Sequence, residues 1–149
     1  MRVTEVRRDD CGNAIVEFVY LAILLMVPLV YMLLTVFQVQ RAAFAASSAA
    51  REAGRVFVTS TDEALAEDRA KTSAGIVLRD SGLTLAPGDL RITCSSSPCL
   101  EPGSRVEVVV RHRVTLPLLP DVFGDGGPAS VTVSSEHLEV VDRYRAVRR

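Results

Sequence analysis

The longest apolar stretch of the chain lies close to its N-terminus. From Phe18 to Phe37 the chain carries no charge, and only Tyr20, Tyr31 and Thr35 interrupt the apolar run. About 20 helical residues rise about 30 Å, which is the thickness of the hydrocarbon core of a bilayer. The pattern predicts a transmembrane helix over residues 18–37.

The helical pattern continues beyond this span. Seven alanines lie from Ala42 to Ala53, and Gly54 is the first residue that weakens the helical propensity. Because alanine is the strongest helix former, we expect one helix from about Asn13 to about Val58. Such a helix would be about 65 Å long, so its second half would extend beyond the bilayer.

A second helix is predicted from Ser60 to about Asp80. Ser60 and Glu63 have the spacing of a capping box, and Gly82 is a suitable C-terminal stop. Its apolar face consists mostly of alanine and ends in Ile76, Val77 and Leu78. We therefore interpret this helix as a packing element.

Alternating apolar and polar residues then predict three strands. The first contains Leu90, Ile92 and Cys94, the second alternates from Val106 to Leu116, and the third starts at Val131. The apolar phase of the third strand shifts, which suggests a bulge near Ser135. The glycine-rich stretch from Pro117 to Pro128 is expected to be a loop. The expected fold is α+β: a long transmembrane helix, a second helix and a small three-stranded antiparallel meander packed on both helices.

Composition narrows the possible functions. The formal net charge is -1, from 17 Lys and Arg against 18 Asp and Glu, and tryptophan is absent. A balanced charge and few aromatic rings argue against nucleic-acid binding. No motif in the sequence predicts a cofactor.

Two other targeting signals fit the N-terminal region less well. A cleaved secretory signal could end at Ala43-Phe44-Ala45, but the apolar run exceeds the 7 to 15 residues that are typical of such signals. A lipoprotein signal would need an apolar segment before Cys11, where the chain instead has Arg7-Arg8-Asp9-Asp10.

A carboxylate stands at the entrance of the span. Gly12 is followed five residues later by Glu17, directly before the apolar run. A charge in the bilayer centre costs about 3 kcal/mol, so Glu17 needs a cationic partner or a shallow position.

The segment Gly12-Asn13-Ala14-Ile15-Val16-Glu17-Phe18 resembles the cleavage signature of type IV prepilins. The resemblance implies that a membrane prepilin peptidase cuts between Gly12 and Asn13. It also implies that the new ammonium group of Asn13 meets the Glu17 carboxylate of an adjacent subunit, with Glu17 and Phe18 acting in assembly.

The stretch Ala49-Ala50-Arg51-Glu52-Ala53-Gly54-Arg55 narrows the resemblance to the TadE-like minor pseudopilins of tight-adherence pilus systems, which are pilin-like. This implies a leader over residues 1–12, a long helix over 13–58 and a small extracytoplasmic domain over 59–149. The alternative for Glu17 is an interfacial residue of an unprocessed signal anchor.

The four-residue spacing of Ala42, Ala46, Ala50 and Gly54 has two interpretations. The stripe could form a close contact between helices in an assembly. It could equally pack on the domain of its own chain.

Cys94 and Cys99 flank a Ser-Ser-Ser-Pro sequence. They could form a disulfide, supply two ligands of a metal site, or remain free. We favour the disulfide over a metal, because His112 and His137 are isolated and no further ligand cluster is visible. A disulfide implies an oxidising location outside the membrane, with the N-terminus inside.

Catalysis finds little support in the sequence. Ser134 or Ser135 could be combined with His112 or His137 and Asp142, but no nucleophile elbow or phosphate-binding loop accompanies them. The terminal Arg143, Arg145, Arg148 and Arg149 could touch anionic polymers or a neighbouring subunit, or form a solvated tail.

The sequence therefore leaves three hypotheses. The first is a minor pilin or pseudopilin of the cytoplasmic membrane, whose partners are a prepilin peptidase, other pilins and lipid. The second is an unprocessed anchor that displays an extracytoplasmic binding module. The third, a membrane-tethered enzyme, has no catalytic constellation behind it.

Overall fold

The computed structural model describes residues 13–116 and 129–145, and the predicted leader and the predicted loop at 117–128 lie outside them. The order of elements is two helices followed by three strands, so the layout is α+β. Their bounds are α1, Asn13–Thr59; α2, Glu63–Asp80; β1, Leu90–Cys94; β2, Arg105–Thr115; and β3, Ser130–Val140.

Helix α1 belongs to two compact units of the chain. The first unit is Met1–Val36 and the second is Phe37–Arg149. The helix is 47 residues long and runs through Pro28 without interruption. Its bounds agree with the predicted helix to within one residue at the C-terminal end.

The core of the second unit is built from small side chains on its helices and larger ones on its sheet. Buried alanines of α1 and α2 form one cluster with Phe57, Leu78, Leu90 and the inward-facing valines of β2. Alanine allows close approach of the surfaces that it covers, and valine fits a pleated strand. The buried alanines are Ala42, Ala45, Ala46, Ala49, Ala50 and Ala53 on α1, and Ala66, Ala70 and Ala74 on α2.

The turn between the helices differs from the predicted capping box. The N-cap of α2 is Asp62, whose Oδ1 accepts a hydrogen bond from the Ala64 amide at 2.9 Å. Ser60 instead donates its hydroxyl to the carbonyl of Val56 at 2.7 Å. The prediction of Ser60 as the cap is wrong, because that residue directly follows α1 and bonds back to its last turn. An aspartate is as good an N-cap as a serine.

The C-terminal end of α2 confirms the predicted stop at Gly82. The Gly82 amide donates to the carbonyl of Arg79, and the Leu83 amide donates to the carbonyl of Leu78. This pair of bonds is the Schellman motif, which needs a left-handed residue after the cap. Gly82 supplies it with a φ of 71°.

The sheet is an antiparallel meander in the order β1-β2-β3, as the sequence predicts. No bulge interrupts β3, because its residues pair one for one with β2 from Ser130↔Thr115 to Val140↔Arg105. The predicted bulge near Ser135 is therefore wrong. Leu138 and Val140 instead lie on the outer face and are exposed.

The inward face of β3 carries polar residues where the sequence pattern suggested a shift. His137 and Glu139 are half-buried there, beside Val108 and Val106 of β2. Their ring nitrogen and carboxylate oxygen lie 3.0 Å apart. A polar pair can lie on this face because its members satisfy each other.

Candidate functional site

The first candidate surface is the N-terminal part of α1, residues 14–37, which we call the apolar segment. Its large side chains are exposed on every side of the helix, and none of its residues is buried. The helix is long and apolar enough to cross a membrane. An exposed apolar surface of this extent is costly in water and favourable in lipid.

The residues of the prepilin-like motif lie at the beginning of this segment. Gly12 is outside the described residues, and Asn13 begins α1. Glu17 is exposed in the first helical turns, and Phe18 is 72% exposed. Within the described part of the chain, Glu17 makes no hydrogen bond or ion pair, so its carboxylate is available to a partner.

The alanine stripe of α1 does not share this exposure. Ala46, Ala50 and Gly54 are buried against other parts of the second unit. A Cβ added to Gly54 would lie 2.9 Å from Cγ of Glu139 and 3.6 Å from Cγ2 of Val108. The alanine stripe therefore packs on the domain of its own chain, which is the second of the two interpretations given above.

The predicted disulfide is present between Cys94 and Cys99, whose Cα atoms lie 5.4 Å apart. Cys94 is the last residue of β1, so the bond closes a short loop at the end of this strand. The amide of Cys99 donates to Oε1 of Glu63 at 3.1 Å. Glu63 thus holds the loop against the first turn of α2 instead of completing a capping box.

The C-terminal segment is tied to the end of α1 by Arg145. Its Nη1 donates to the carbonyl of Val58 at 2.8 Å, and its Nη2 donates to the carbonyl of Ser60. A cation at a helix C-terminus complements unpaired carbonyls and the helix dipole. Arg145 is therefore an anchoring residue, whereas Arg148 and Arg149 lie outside the described residues.

These tethers surround an open cleft of about 660 Å³ in the second unit. Its lining combines apolar surface with three carboxylates and one guanidinium. The residues that line the cleft include Val58, Glu63, Leu100, Glu101, Asp142 and Arg145. Because Glu63 and Arg145 already hydrogen-bond to backbone atoms, the charged groups left to orient a ligand are the Glu101 carboxylate and Oδ2 of Asp142.

The histidines do not assemble a catalytic group with the serines that the sequence offers. His137 contacts Glu139, and Asp142 accepts a hydrogen bond from the Tyr144 amide at 2.9 Å. No hydrogen bond joins either histidine to Ser134 or Ser135 within the described ranges. Those ranges also contain no group of three His, Cys, Asp or Glu residues that could hold a metal ion.

Arg145 and the outer face of β3 are the features that sequence reasoning missed. The arginine tail gave no signal of an anchoring contact, because its acceptors are backbone carbonyls more than 80 residues earlier in the chain.

Comparison with known proteins adds no relative, since no protein-family model, curated protein or solved structure matches this chain.

Proposed function

We propose that this protein is a TadE-like minor pilin or pseudopilin, a membrane-anchored structural or assembly component of a tight-adherence pilus. In this proposal a prepilin peptidase removes residues 1–12, and the apolar segment holds the mature chain in the cytoplasmic membrane. The domain that follows lies outside the cytoplasm.

The observation that carries the proposal is the continuity of α1. One helix begins at Asn13, directly after Gly12, and extends through an exposed apolar segment into a stripe buried in its own domain. A signal that is removed after translocation has no need to continue into the core of the mature domain. A pilin-type helix needs both parts, because the first part serves membrane and assembly and the second carries the domain.

The exposed Glu17 carboxylate has a clear role in such an assembly. Cleavage after Gly12 would create an ammonium group at Asn13, and an ammonium and a carboxylate attract strongly in a medium of low dielectric constant. Within one chain the new amine could satisfy Glu17 locally. In an assembly the amine of a neighbour could replace it, which would couple docking to processing and set the axial register of subunits.

Intact-mass analysis of the membrane-bound protein tests the processing step. We expect a mature chain that starts at Asn13 when a prepilin peptidase is present, and a retained leader when it is absent. Retention of residues 1–12 beside an active peptidase would contradict the proposal. A mature start near Ala46 would indicate a secretory signal instead.

The charge-pairing role is tested separately with Glu17→Gln, which keeps the shape and removes the charge. Membrane integration, cleavage and the Cys94–Cys99 bond should remain, while recovery with pilus components falls at equal expression. Val16→Gln is a matched control, because it adds an amide one residue away without removing a charge. Unchanged incorporation of the Glu17→Gln protein would contradict charge pairing.

A second candidate is an unprocessed anchor with a binding module, and the open cleft beside Arg145 favours it. Its carboxylates would select a cationic or amine-bearing ligand. Glu101→Gln and Asp142→Asn should then weaken binding of such a ligand while pilus incorporation stays unchanged. N-terminal processing together with loss of incorporation on Glu17→Gln would favour the pilin instead.

A further inference from the structure

The sheet has two open edges, and the hydrogen-bond pattern identifies the residues that face them. The Leu116 amide donates to the carbonyl of Ala129, which fixes the odd-numbered residues of β3 as those bonded to β2. In an antiparallel pair, alternate residues direct their backbone groups to opposite sides of the strand. The six even-numbered residues from Ser130 to Val140 therefore direct their N–H and C=O groups away from the sheet.

At the other edge of the sheet, the residues of β1 alternate in the same way. The Ser95 amide donates to Arg105, and the Arg111 amide donates to Asp89, so the odd-numbered residues of β1 bond to β2. Leu90, Ile92 and Cys94 direct their backbone groups outward. Among the described residues, no hydrogen bond satisfies these outward groups on either edge.

Charges on the outer face distinguish the two edges. Arg91 pairs with Val109, and Val109 pairs with Glu136, so the three residues form one row across the sheet. An exposed arginine ends the row at β1 and an exposed glutamate ends it at β3. A copy placed beside the first in the same orientation would bring arginine next to glutamate.

The glutamate at the β3 edge, Glu136, forms no ion pair with a basic side chain among the described residues. The neighbouring Glu107 raises the pKa of Glu136, first because the two carboxyl groups can share a hydrogen bond when Glu136 is protonated and then through the charge of Glu107. Glu107 also accepts the hydroxyl hydrogen bond of Thr93 at 2.9 Å. Within the part of the chain that the structure describes, no basic side chain forms an ion pair with either carboxylate.

We propose that the β3 edge binds the β1 edge of a second copy of this chain, in parallel, with Arg91 of one copy opposite Glu136 of the other. This register is possible because the residues whose backbone groups face outward alternate along both strands with those bonded to β2. A residue of a parallel pair bonds to the two neighbours of the residue opposite it, so Glu136 opposite Arg91 bonds to Leu90 and Ile92. The outer faces of the two sheets then coincide.

Membrane anchoring favours this contact over pairing of two β3 strands. Two β3 strands would pair antiparallel about a two-fold axis perpendicular to the sheet, which would reverse the direction of one α1 helix. Head-to-tail pairing keeps both helices in the same general direction, apart from the sheet twist. Such a heterologous contact leaves one edge open for a further copy. The contact goes beyond the proposed function and does not require processing or Glu17.

Cysteine cross-linking of the full chain in membranes tests the register. Thr93 and Leu138 end the neighbouring row, Thr93–Glu107–Leu138. In one chain they are two strand spacings apart, about 10 Å, which exceeds the reach of a disulfide. Thr93→Cys with Leu138→Cys, in a Cys11→Ser background, should therefore give cross-linked dimers and larger species under mild oxidation.

Matched variants decide between this contact and others. Thr93→Cys with Thr132→Cys moves one cysteine about 20 Å along β3 and should not cross-link. Co-expression of the two single variants of the tested pair should give dimers only. Equal cross-linking of both pairs, or no cross-linking of the first, would overturn the proposal. Efficient cross-linking of Leu138→Cys alone would indicate a β3 to β3 contact and would also overturn it. Peptide mapping of the cross-linked band checks that Cys94 and Cys99 remain bonded.

A charge swap tests the ion pair within the cross-linking variant. Arg91→Glu or Glu136→Arg alone should reduce the cross-linked fraction about 1.4- to fivefold, which is the range for an exposed ion pair. The two changes together recreate the pair in reverse and should restore the fraction. Failure of the double swap to restore cross-linking would contradict the pairing of these residues.

Discussion

The two halves of α1 have the same secondary structure and opposite surroundings. Residues 14–36 expose leucine, valine, isoleucine and phenylalanine, whereas residues 42–57 bury alanines and Phe57. Large apolar side chains can be exposed where lipid is the solvent, while small side chains allow a helix to approach a sheet and another helix closely. Side-chain size along one helix thus separates a surface suited to lipid from a packing surface.

The largest expected effect is that of a charge in the exposed half. Leu25→Arg should reduce the membrane-integrated fraction strongly, because arginine near the bilayer centre costs about 3 kcal/mol on insertion scales. Resistance to carbonate extraction is the measurement. Phe44→Arg is the matched control, since Phe44 is 75% exposed in the second half and should tolerate the change. Equal extraction of both variants would remove the distinction between the halves.

A larger side chain in the buried half should destabilise the domain. Ala50 is fully buried, so Ala50→Leu overpacks the interface and should lower the free energy of unfolding by about 1–3 kcal/mol. Pulse proteolysis of the full chain in detergent at increasing urea measures this. Ala43→Leu adds the same atoms at an exposed position and should leave the midpoint unchanged. A tolerated Ala50→Leu would mean that the stripe is not closely packed.

Removal of the disulfide should affect the domain and leave the apolar segment unaffected. Replacing Cys94 and Cys99 by serine should lower the free energy of unfolding by about 2 kcal/mol, from the entropy of closing a short loop. The same proteolysis experiment measures it, with the reduced native chain as a second reference. Carbonate extraction should not change, and a loss of membrane integration would contradict the independence of the two regions.

The smallest effect concerns pH and the outer face of the sheet. Because Glu107 raises the pKa of Glu136, the folded chain holds this proton more tightly than the unfolded chain. The free energy of unfolding should therefore fall as pH rises from the ordinary glutamate pKa of 4.5 through the raised pKa of Glu136.

Glu136→Gln should remove this decrease in the free energy of unfolding. The difference in free energy of unfolding between the variant and the native chain should therefore grow in favour of the variant across the same pH range and then remain constant. Urea midpoints at several pH values are the measurement. Glu107→Gln removes the neighbouring charge and should return the pKa of Glu136 towards its ordinary value. A pH profile that is unchanged in both variants would contradict the carboxyl pair.

Local patterns were sufficient for most elements of the fold. The apolar run, the alanine-rich continuation and the alternating strands predicted both helices and the meander. The closeness of Cys94 and Cys99 predicted their bond, which the structure confirms. Each of these features depends on neighbouring residues or on one helix surface, so it can be predicted from the local sequence alone.

Contacts between distant parts of the chain could not be predicted from local sequence patterns. Whether Ser60 or Asp62 caps α2 depended on where α1 ends, and Ser60 is the residue that bonds back to Val56. The apolar phase of β3 suggested a bulge, but His137 and Glu139 satisfy each other on the inward face and allow a regular ladder.

The sequence by itself determined where this protein can enter a membrane, because hydrophobic transfer depends on the length and composition of one continuous segment. Tertiary structure decided which alanines are buried, that Arg145 holds the end of α1, and that arginine and glutamate end the same row on opposite sheet edges. These properties depend on strand register and packing, which arise only when residues far apart in the chain are brought together.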